Sequence, residues 1–583
     1  TKNQRYFNRA TSVGRNNEGQ AAIENGATNR QQLEGLLTWH QKFVETHDVK
    51  VIGGASYSTQ EVETSGMQAF GFASDVFSFH NIGAAAYRER MASGRSVGQK
   101  ASFFGRAEYV FDDKYILNAS FRADGSSVFG ANYRWGYFPA ASAAWHLGDE
   151  AFMAFAKPVF STIKLRGSYG LSGNDGIRAG LSRYQFAVRN VYVGGNQLAN
   201  GLLPINPYNP DLRWESTAQA NIGADFAILG GRIEVGVDYY VKKTKDLLNA
   251  TPIHPSGGFP NYWADGRGEE FVAMVTNDGN IENRGFELNA KSTNIAKGDF
   301  SWTSAFNLAT NRSLVTKLNN GQARYQYIRP HGSYDVKEYI ILQEGSPLSA
   351  LYGYVFDGVI QQGEAYAPQP NSVPGDPKFR DLNGDGIIDE DDRQVLGHGM
   401  PGMVLGLSNT FAYKGFDFSF FLDASLGGRL LNLTRVYMED YNRLKDSEDR
   451  WTPGGRVLPD GNGGTYTSAG NPSNDIPRRG YQRNAEVQYG SYINSRFVEN
   501  SDYLKLRNIE LGYAPPLRNW RNAVRYVKSL HLFAGAQNLL TVTKYTGFDP
   551  DISTNGGSAI SQGLDLNSYP AYRMFNFGAK ITF

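Results

Sequence analysis

The final stretch of the chain alternates in character with a period of two. Apolar side chains stand at Phe575, Phe577, Ala579, Ile581 and Phe583, with Asn576, Gly578, Lys580 and Thr582 between them. Successive side chains of a β-strand point to opposite faces, so the pattern predicts a strand with one apolar and one polar face. The same alternation recurs upstream. Ala218, Ala220, Ile222, Ala224 and Phe226 interleave with Gln219, Asn221, Gly223 and Asp225. After a turn at 227–232 the pattern resumes at Ile233, Val235, Val237, Tyr239 and Val241. Phe416, Phe418, Phe420 and Leu422 alternate with Asp417, Ser419 and Asp423, behind a strand carrying Leu405, Leu407, Phe411 and Tyr413. Ala107, Tyr109 and Phe111 lead through a turn to Tyr115, Leu117, Ala119 and Phe121. At Leu504 and Leu506 the parity slips to Ile509, Leu511 and Tyr513, which predicts a β-bulge near Arg507.

An apolar strand face can pack on a soluble core or on lipid, and the connections decide between them. Asp112–Lys114, Ala227–Arg232, Asn294–Asp299 and Lys414–Gly415 read as short turns. Long stretches lie around 360–400, 432–499 and 542–570. Short turns on one side and long loops on the other predict an all-β fold, a transmembrane antiparallel β-barrel with the long loops outside the cell. About fifteen strands are expected from these repeats. A barrel that wide cannot fill its interior with its own side chains, so it leaves a channel or holds a plug. No segment reads as a plug. The chain opens on Thr1-Lys2-Asn3-Gln4 without an export signal. The signal is therefore expected upstream, and either the lumen is open or a plug lies upstream as well.

Composition changes this picture little. Lys and Arg number 58 against 57 Asp and Glu, so the basic excess of a nucleic-acid binder is missing. Gly (66), Phe (35) and Tyr (34) are plentiful, as strands, turns and interfacial aromatic girdles require. Cys is absent, which removes disulfides, thiolate catalysis and Cys-based metal sites. Mean hydropathy is negative (−0.44), as it is for spanning strands that turn every second residue to water. No run approaches a transmembrane helix.

One compact constellation carries specific chemistry. Asp381, Asn383, Asp385, the Ile387 carbonyl, Asp389 and Asp392 occupy positions 1, 3, 5, 7, 9 and 12 of a calcium-loop template, with Gly386 at the sharp turn. Asp replaces the usual Glu at position 12, and its shorter arm predicts weaker affinity. Ca²⁺ is the expected ion, in a structural role in an extracellular loop. The competing reading is an acidic Asx-turn without metal. Other candidates carry less. The eight His are scattered without zinc spacing. Gly454-Gly455 and Asn462-Gly463-Gly464 lack the strand-to-helix setting of a phosphate loop. Asp446-Ser447-Glu448-Asp449-Arg450-Trp451 reads as a solvated surface, and Asn221, Asp225, Asp417 and Asp423 as solvated positions on the inner wall.

Several stretches resemble the SusC-like branch of the TonB-dependent transporters of Bacteroidetes-type outer membranes. They begin with Arg122-Ala123-Asp124-Gly125-Ser126-Ser127 followed by Phe129-Gly130, and Gly136-Tyr137-Phe138-Pro139-Ala140. Leu165-Arg166-Gly167-Ser168-Tyr169-Gly170, Gly173-Asn174 and Asn209-Pro210-Asp211-Leu212-Arg213-Trp214-Glu215 follow. Next come Asp238-Tyr239-Tyr240, Lys245-Asp246-Leu247-Leu248, Asn283-Arg284-Gly285-Phe286-Glu287 and Gly353-Tyr354-Val355-Phe356-Asp357-Gly358. Tyr503-Leu504-Lys505-Leu506-Arg507-Asn508 and Gln537-Asn538-Leu539 complete the set, in the family's order. The resemblance implies a barrel of about 22 strands with an N-terminal plug and a segment that recruits the TonB complex, with residues 1–583 as the C-terminal part of that one barrel. It also implies a SusD-like lipoprotein lid over the extracellular mouth and a dimer of transporter–lid pairs. The function it implies is active import of an oligomeric nutrient, glycan or peptide. A passive porin or secretion-associated barrel is the alternative, discriminated by the presence of a plug. A barrel enzyme is a further one, but no nucleophile–His–acid set can be assembled.

Overall fold

The structure is a computed structural model that describes all residues except 194–196, 253–272, 319–323, 329–335, 440–448, 456, 460–463, 479–492, 518–525 and 555–558. Among the described residues, seventeen strands belong to one sheet. The first six are β1 (Lys2–Phe7), β2 (Gln20–Phe43), β3 (His47–Phe72), β4 (Ala85–Phe111), β5 (Tyr115–Ser126) and β6 (Trp135–Trp145). Then come β7 (Phe160–Asn174), β8 (Glu215–Ile228), β9 (Ile233–Lys245), β10 (Asn280–Lys297), β11 (Phe300–Thr310) and β12 (Arg312–Lys317). The last are β13 (Met403–Tyr413), β14 (Phe416–Leu426), β15 (Tyr503–Tyr513), β16 (Ser529–Thr543) and β17 (Met574–Thr582). The count exceeds the fifteen expected partly because β11 and β12 are one run parted at Asn311. The two halves of β10 pair with them separately.

The chain divides into two compact units. One holds Thr1–Trp145, Gly167–Ala220 and Lys243–Gly279; the other holds His146–Arg166, Asn221–Lys242 and Asn280–Phe583. In the first, β1 to β6 form an antiparallel meander in which each strand pairs with the next. In the second, β11, β13, β14, β15, β16 and β17 pair successively in the same antiparallel way.

Local chemistry explains the turns. Lys414 (φ 46°) and Gly415 (φ 88°) both take the left-handed conformation, so the two-residue connection of β13 to β14 is of the type whose twist matches the strands. The turn expected at Asn294–Asp299 is shorter. β10 continues to Lys297, and Asn294 marks a shift of register between Thr293 and Ile295. Its side-chain amide donates to Ser304 Oγ at 2.7 Å, so the residue that reads as a turn former serves a bulge. The bulge expected at Arg507 is present: Phe421 pairs with Asn508 and Leu422 with Leu506, leaving Arg507 as the extra residue.

The apolar rows face outward. Phe577 is 80% exposed and Phe583 72%, while Leu117 and Phe121 are each 51%. Apolar rows of this extent facing water would make a patch far larger than soluble monomers carry; hydrocarbon removes that cost. The buried apolar clusters are built largely from loop residues and strand ends. Tyr339, Ile340, Leu351, Leu431, Leu433, Val436, Ile493, Phe497 and Leu564 form one, from three separate connections.

Strands β2, β3 and β4 run 24, 26 and 27 residues, far beyond the ~10 needed to cross a bilayer. Their outer face divides by chemistry. Phe43, His47 and Phe111 stand in register at one end, Trp39 and Leu37 follow, and Leu33 pairs with Tyr57 at the other. Beyond this band the face becomes mixed, with Glu61, Glu63 and Arg95 beside Val97 and the Met67–Met91 pair. The three strands therefore project past the main apolar band by 13 to 16 residues, on the order of 45 Å at ~3.3 Å per residue.

Placing a charge in the outward row tests the lipid-facing reading. Phe577→Lys should lower stability in liposomes by up to roughly 2–4 kcal/mol, depending on depth, while Phe577→Leu stays close to the parent. Denaturant unfolding of protein folded into lipid vesicles measures both, and equal stability of the two variants contradicts an outward-facing Phe577.

Candidate functional site

The stretches that carry the family resemblance converge into ties between distant parts of the chain. In the first unit, Val128, Phe129 and Leu212 bury one another, with Trp214 and Leu248 packed against them. The Gly130 N–H donates to the Leu212 carbonyl at 2.9 Å. A Cβ at Gly130 would lie 1.7 Å from the Pro210 carbonyl oxygen, so only glycine allows this approach. Arg213 donates to Asp246 at 2.8 Å, and the Asn277 amide donates to the Arg213 and Asp246 carbonyls at 2.8 and 3.0 Å. The Trp214 indole donates to the Arg134 carbonyl at 2.9 Å. These contacts lock the end of β5 to the segment entering β8.

In the second unit, Arg166 grips two carboxylates. Its Nε and Nη2 donate to Asp225 at 3.0 and 3.1 Å, and its Nη1 and Nη2 to Asp238 at 2.5 and 2.6 Å. Asn221 hydrogen-bonds to Asp238. Asp417 pairs with His531 Nε2 at 2.7 Å, and Asp423 accepts from Arg507 Nε at 2.6 Å. These four inner-wall positions, expected to be simply solvated, are thus held by side chains 17 to 114 residues away in sequence. The bulge at Arg507 serves this cluster, since the same guanidinium also holds Asp551.

Lys505, two residues before the bulge, ties down the 542–570 loop. Its ammonium donates to Asp549 Oδ1 at 2.6 Å and reaches Asp551 at 3.5 Å. Both members of the closer pair are buried, Lys505 at 3% and Asp549 at 9% side-chain exposure. Burial alone pushes the Asp549 carboxyl upward, but the Lys505 hydrogen bond and charge and two backbone N–H donors outweigh it, holding the carboxyl below its ordinary range. Above the loop core, Arg435 donates to Glu439 at 2.6 Å and to Glu499 at 3.1 Å, and Arg496 donates to Glu439 at 2.5 Å. Tyr545 donates to the buried Asp565 at 2.6 Å. Burial raises the Tyr545 pKa well above its ordinary value, so it stays a donor.

The calcium-template loop folds as an Asx network. Asp381 accepts from Gly384 and Gly386 N–H at 2.6 and 2.8 Å, and Asn383 Oδ1 from Asp385 N–H at 3.0 Å. Asp385 Oδ1 accepts from Ile387 N–H and Asp389 Oδ1 from Asp391 N–H, both at 2.9 Å. Asp392 is fully buried and accepts from Leu382 N–H at 2.7 Å and Asp389 N–H at 2.9 Å. Gly386 takes the positive φ (86°) that the template demands. Among the described residues, however, no three acidic or His side chains stand together as a metal cage. The oxygens keep unused lone pairs, but they must turn inward to share an ion.

Two other expectations change. Asp446, Ser447, Glu448, Asn462 and Gly463 lie outside the described residues. Arg450 and Trp451, expected on a solvated surface, are buried at 4% and 5% exposure, with Arg450 donating to the Glu439 carbonyl. Sequence reading missed the Arg166, Lys505 and Arg435 centres because their partners are remote. The one available signal was that Arg166, Asp238, Lys505 and Arg507 sit inside the resemblance stretches.

An antiparallel wall with an apolar outer face, a charged inner face and loops packed around their own core defines an outer-membrane β-barrel chain. Residues 1–539 match the family model described as TonB dependent receptor-like, beta-barrel, and the chain belongs to that family. It is 31% identical over 576 residues to TonB-dependent receptor P3 of Formosa agariphila, covering 97% of this chain and 53% of that protein. It is 29% identical over 492 residues to TonB-dependent receptor SusC of Bacteroides thetaiotaomicron, covering 83% and 43%. The RagAB peptide transporter structure superposes with a TM-score of 0.76 at 22% identity, over 97% of this chain and 56% of that one. The chain thus spans about half the length of the relatives it matches.

The Lys505–Asp549 pair makes a prediction. Lys505→Met leaves a buried carboxylate unpaired and should cost about 3–5 kcal/mol, seen as faster proteolysis of the 542–570 loop. Because the folded Asp549 pKa is depressed, its contribution is complete above the unfolded value near 4 and lost as pH falls through the folded one. The loop's protection factors in hydrogen exchange should therefore hold steady from neutral pH to about 4 and fall only in stronger acid.

Proposed function

We propose that this chain serves TonB-dependent active import of an oligomeric nutrient, glycan or peptide, across the outer membrane. Its partners are the TonB complex and a SusD-like surface lipoprotein that closes over the extracellular mouth. The observation that carries this reading is the loop core. Three connections bury Tyr339, Leu351, Leu431, Phe497 and Leu564 together, and ionic ties at Lys505 and Arg435 anchor them. A passive pore has no need of so stiff a rim; a mouth on which a lid seats does. The SusC relative and the RagAB peptide transporter support the same reading. The role is transport and not catalysis, in keeping with relatives named as receptors. A dimer of transporter–lid pairs is the assembly proposed.

Uptake of labelled oligosaccharides and peptides by cells expressing the full-length protein tests this. Uptake should require both TonB and a SusD-like lipoprotein. Uptake that persists without TonB, with matching conductance in planar bilayers, identifies a passive pore instead.

We propose Ca²⁺ as the ligand of the 381–392 loop, with Asp381, Asn383, Asp385, the Ile387 carbonyl, Asp389 and Asp392 turning inward to hold it. Its role is to stiffen the loop. Calorimetric titration should find a Kd in the ~10⁻⁴–10⁻³ M range of extracellular modules, abolished in Asp381→Asn/Asp385→Asn. Absence of heat up to several millimolar Ca²⁺ leaves the loop as an Asx network alone.

A further inference from the structure

The register of β2, β3 and β4 builds a basic pocket on the inner face of their projecting part. Arg30 pairs with Gln60, and Gln60 with Gly98; one row along, Ser58 pairs with Lys100, and Lys100 with Ser126. Directly paired residues share a face, and Lys100 has the parity of Ser102 and Arg106, on the polar side of the wall. The row that holds Arg30 lies beyond Leu33 and Tyr57, where the apolar band ends on the other face. The segment Asp175–Ala179 closes the pocket from above, leaving a cavity of about 420 Å³. That volume lies within the range of small-ligand sites.

Its electrostatics are one-sided. Arg30, Lys100 and Arg178 line it against a single carboxylate, Asp175. Both Asp175 oxygens are engaged, one by Lys100 at 2.7 Å and the other by the Ser126 hydroxyl at 3.0 Å. Arg30 and Arg178 have no carboxylate partner among the described residues. The floor is open at Gly98, where a Cβ would meet nothing within 4 Å. Gln60, Gln99 and Ser58 add neutral hydrogen-bonding groups around it. Guanidinium groups present planar forks of donors that match carboxylate and sulfate oxygens.

We propose that this pocket binds an anionic group, carboxylate or sulfate, of the imported oligomer, so that the cargo is a charged glycan or an acidic peptide. The inference rests on the import reading and narrows its substrate class. Arg30 and Arg178 hold the anion, Lys100 is positioned by Asp175, and the vacancy over Gly98 admits the adjoining residue of the cargo. Low-dielectric walls and a concave basic mouth also concentrate anionic ligands before they enter.

The test is binding to the full-length receptor in detergent. The probes are oligogalacturonate, a sulfated oligosaccharide, hexaglutamate and neutral maltohexaose. At least one anionic probe should bind about tenfold or more tighter than the neutral one, with affinity falling as salt rises. Arg30→Gln/Arg178→Gln should weaken that probe by about tenfold or more, and Gly98→Phe should do the same by filling the cavity without altering charge. An unchanged unfolding temperature separates both from misfolding. Which anionic probe binds distinguishes sugar from peptide. Equal binding of neutral and anionic probes, binding of none, or variants that bind like the parent overturn the proposal. TonB-dependent uptake without charge preference removes the pocket and keeps the import reading; charge-selective binding without TonB-dependent uptake does the reverse.

Discussion

A backbone amide in hydrocarbon has no water to bond to, and every other feature of this chain follows from that constraint. Strands crossing a bilayer satisfy their N–H and C=O groups only by pairing edge to edge, which makes the continuous antiparallel ladder compulsory. Side chains are then the only freedom left, and they divide by face: Phe577, Phe121 and Leu117 outward, Asp225, Asp238 and Asp423 inward. Because the wall is one strand thick, it has no interior of its own to bury side chains in. The chain places its hydrophobic cores where loops and strand ends meet.

This division of labour explains why charges hold together what a soluble protein would hold with apolar packing. Across the inner face, Arg166 ties β7 to carboxylates of β8 and β9, and Arg507 ties β15 to Asp423 of β14 and to Asp551 of the following loop. Half-exposed pairs of this kind contribute modestly to stability, but they fix register and aim side chains into a wet interior. Lys505 and Asp549 are different. They are buried, and breaking one leaves the other stranded, so that pair controls whether a long loop stays on the rim.

Loops tied down by buried ion pairs and wall strands that rise past the main apolar band suit the import role proposed above. In the role proposed for it, the projecting part of β2 to β4 is an inner surface on which cargo is sorted by charge. The Lys100–Asp175 pair shows how such a surface is set: one carboxylate orients one cation and leaves the neighbouring arginines unneutralised.

Period-two alternation, the short turns at Asp112–Lys114 and Lys414–Gly415, and the bulge at Arg507 were legible in the amino-acid sequence alone. Each depends on residues adjacent in the chain and on the two sides of the wall meeting opposite solvents. The sharp turn at Gly386 was legible for the same reason, being set by a contiguous stretch. Tertiary structure decided the rest. That Asp225, Asp417 and Asp423 are ion-paired, that Arg450 and Trp451 are buried, and that Asn294 is a bulge depend on partners brought close only by strand register and loop packing. Arg30 and Arg178 stand far apart in the chain, and no local pattern marks them as neighbours. They become lining of one cavity because three strands share a register and a loop closes over them, a relation set by the ladder and not by any stretch of sequence.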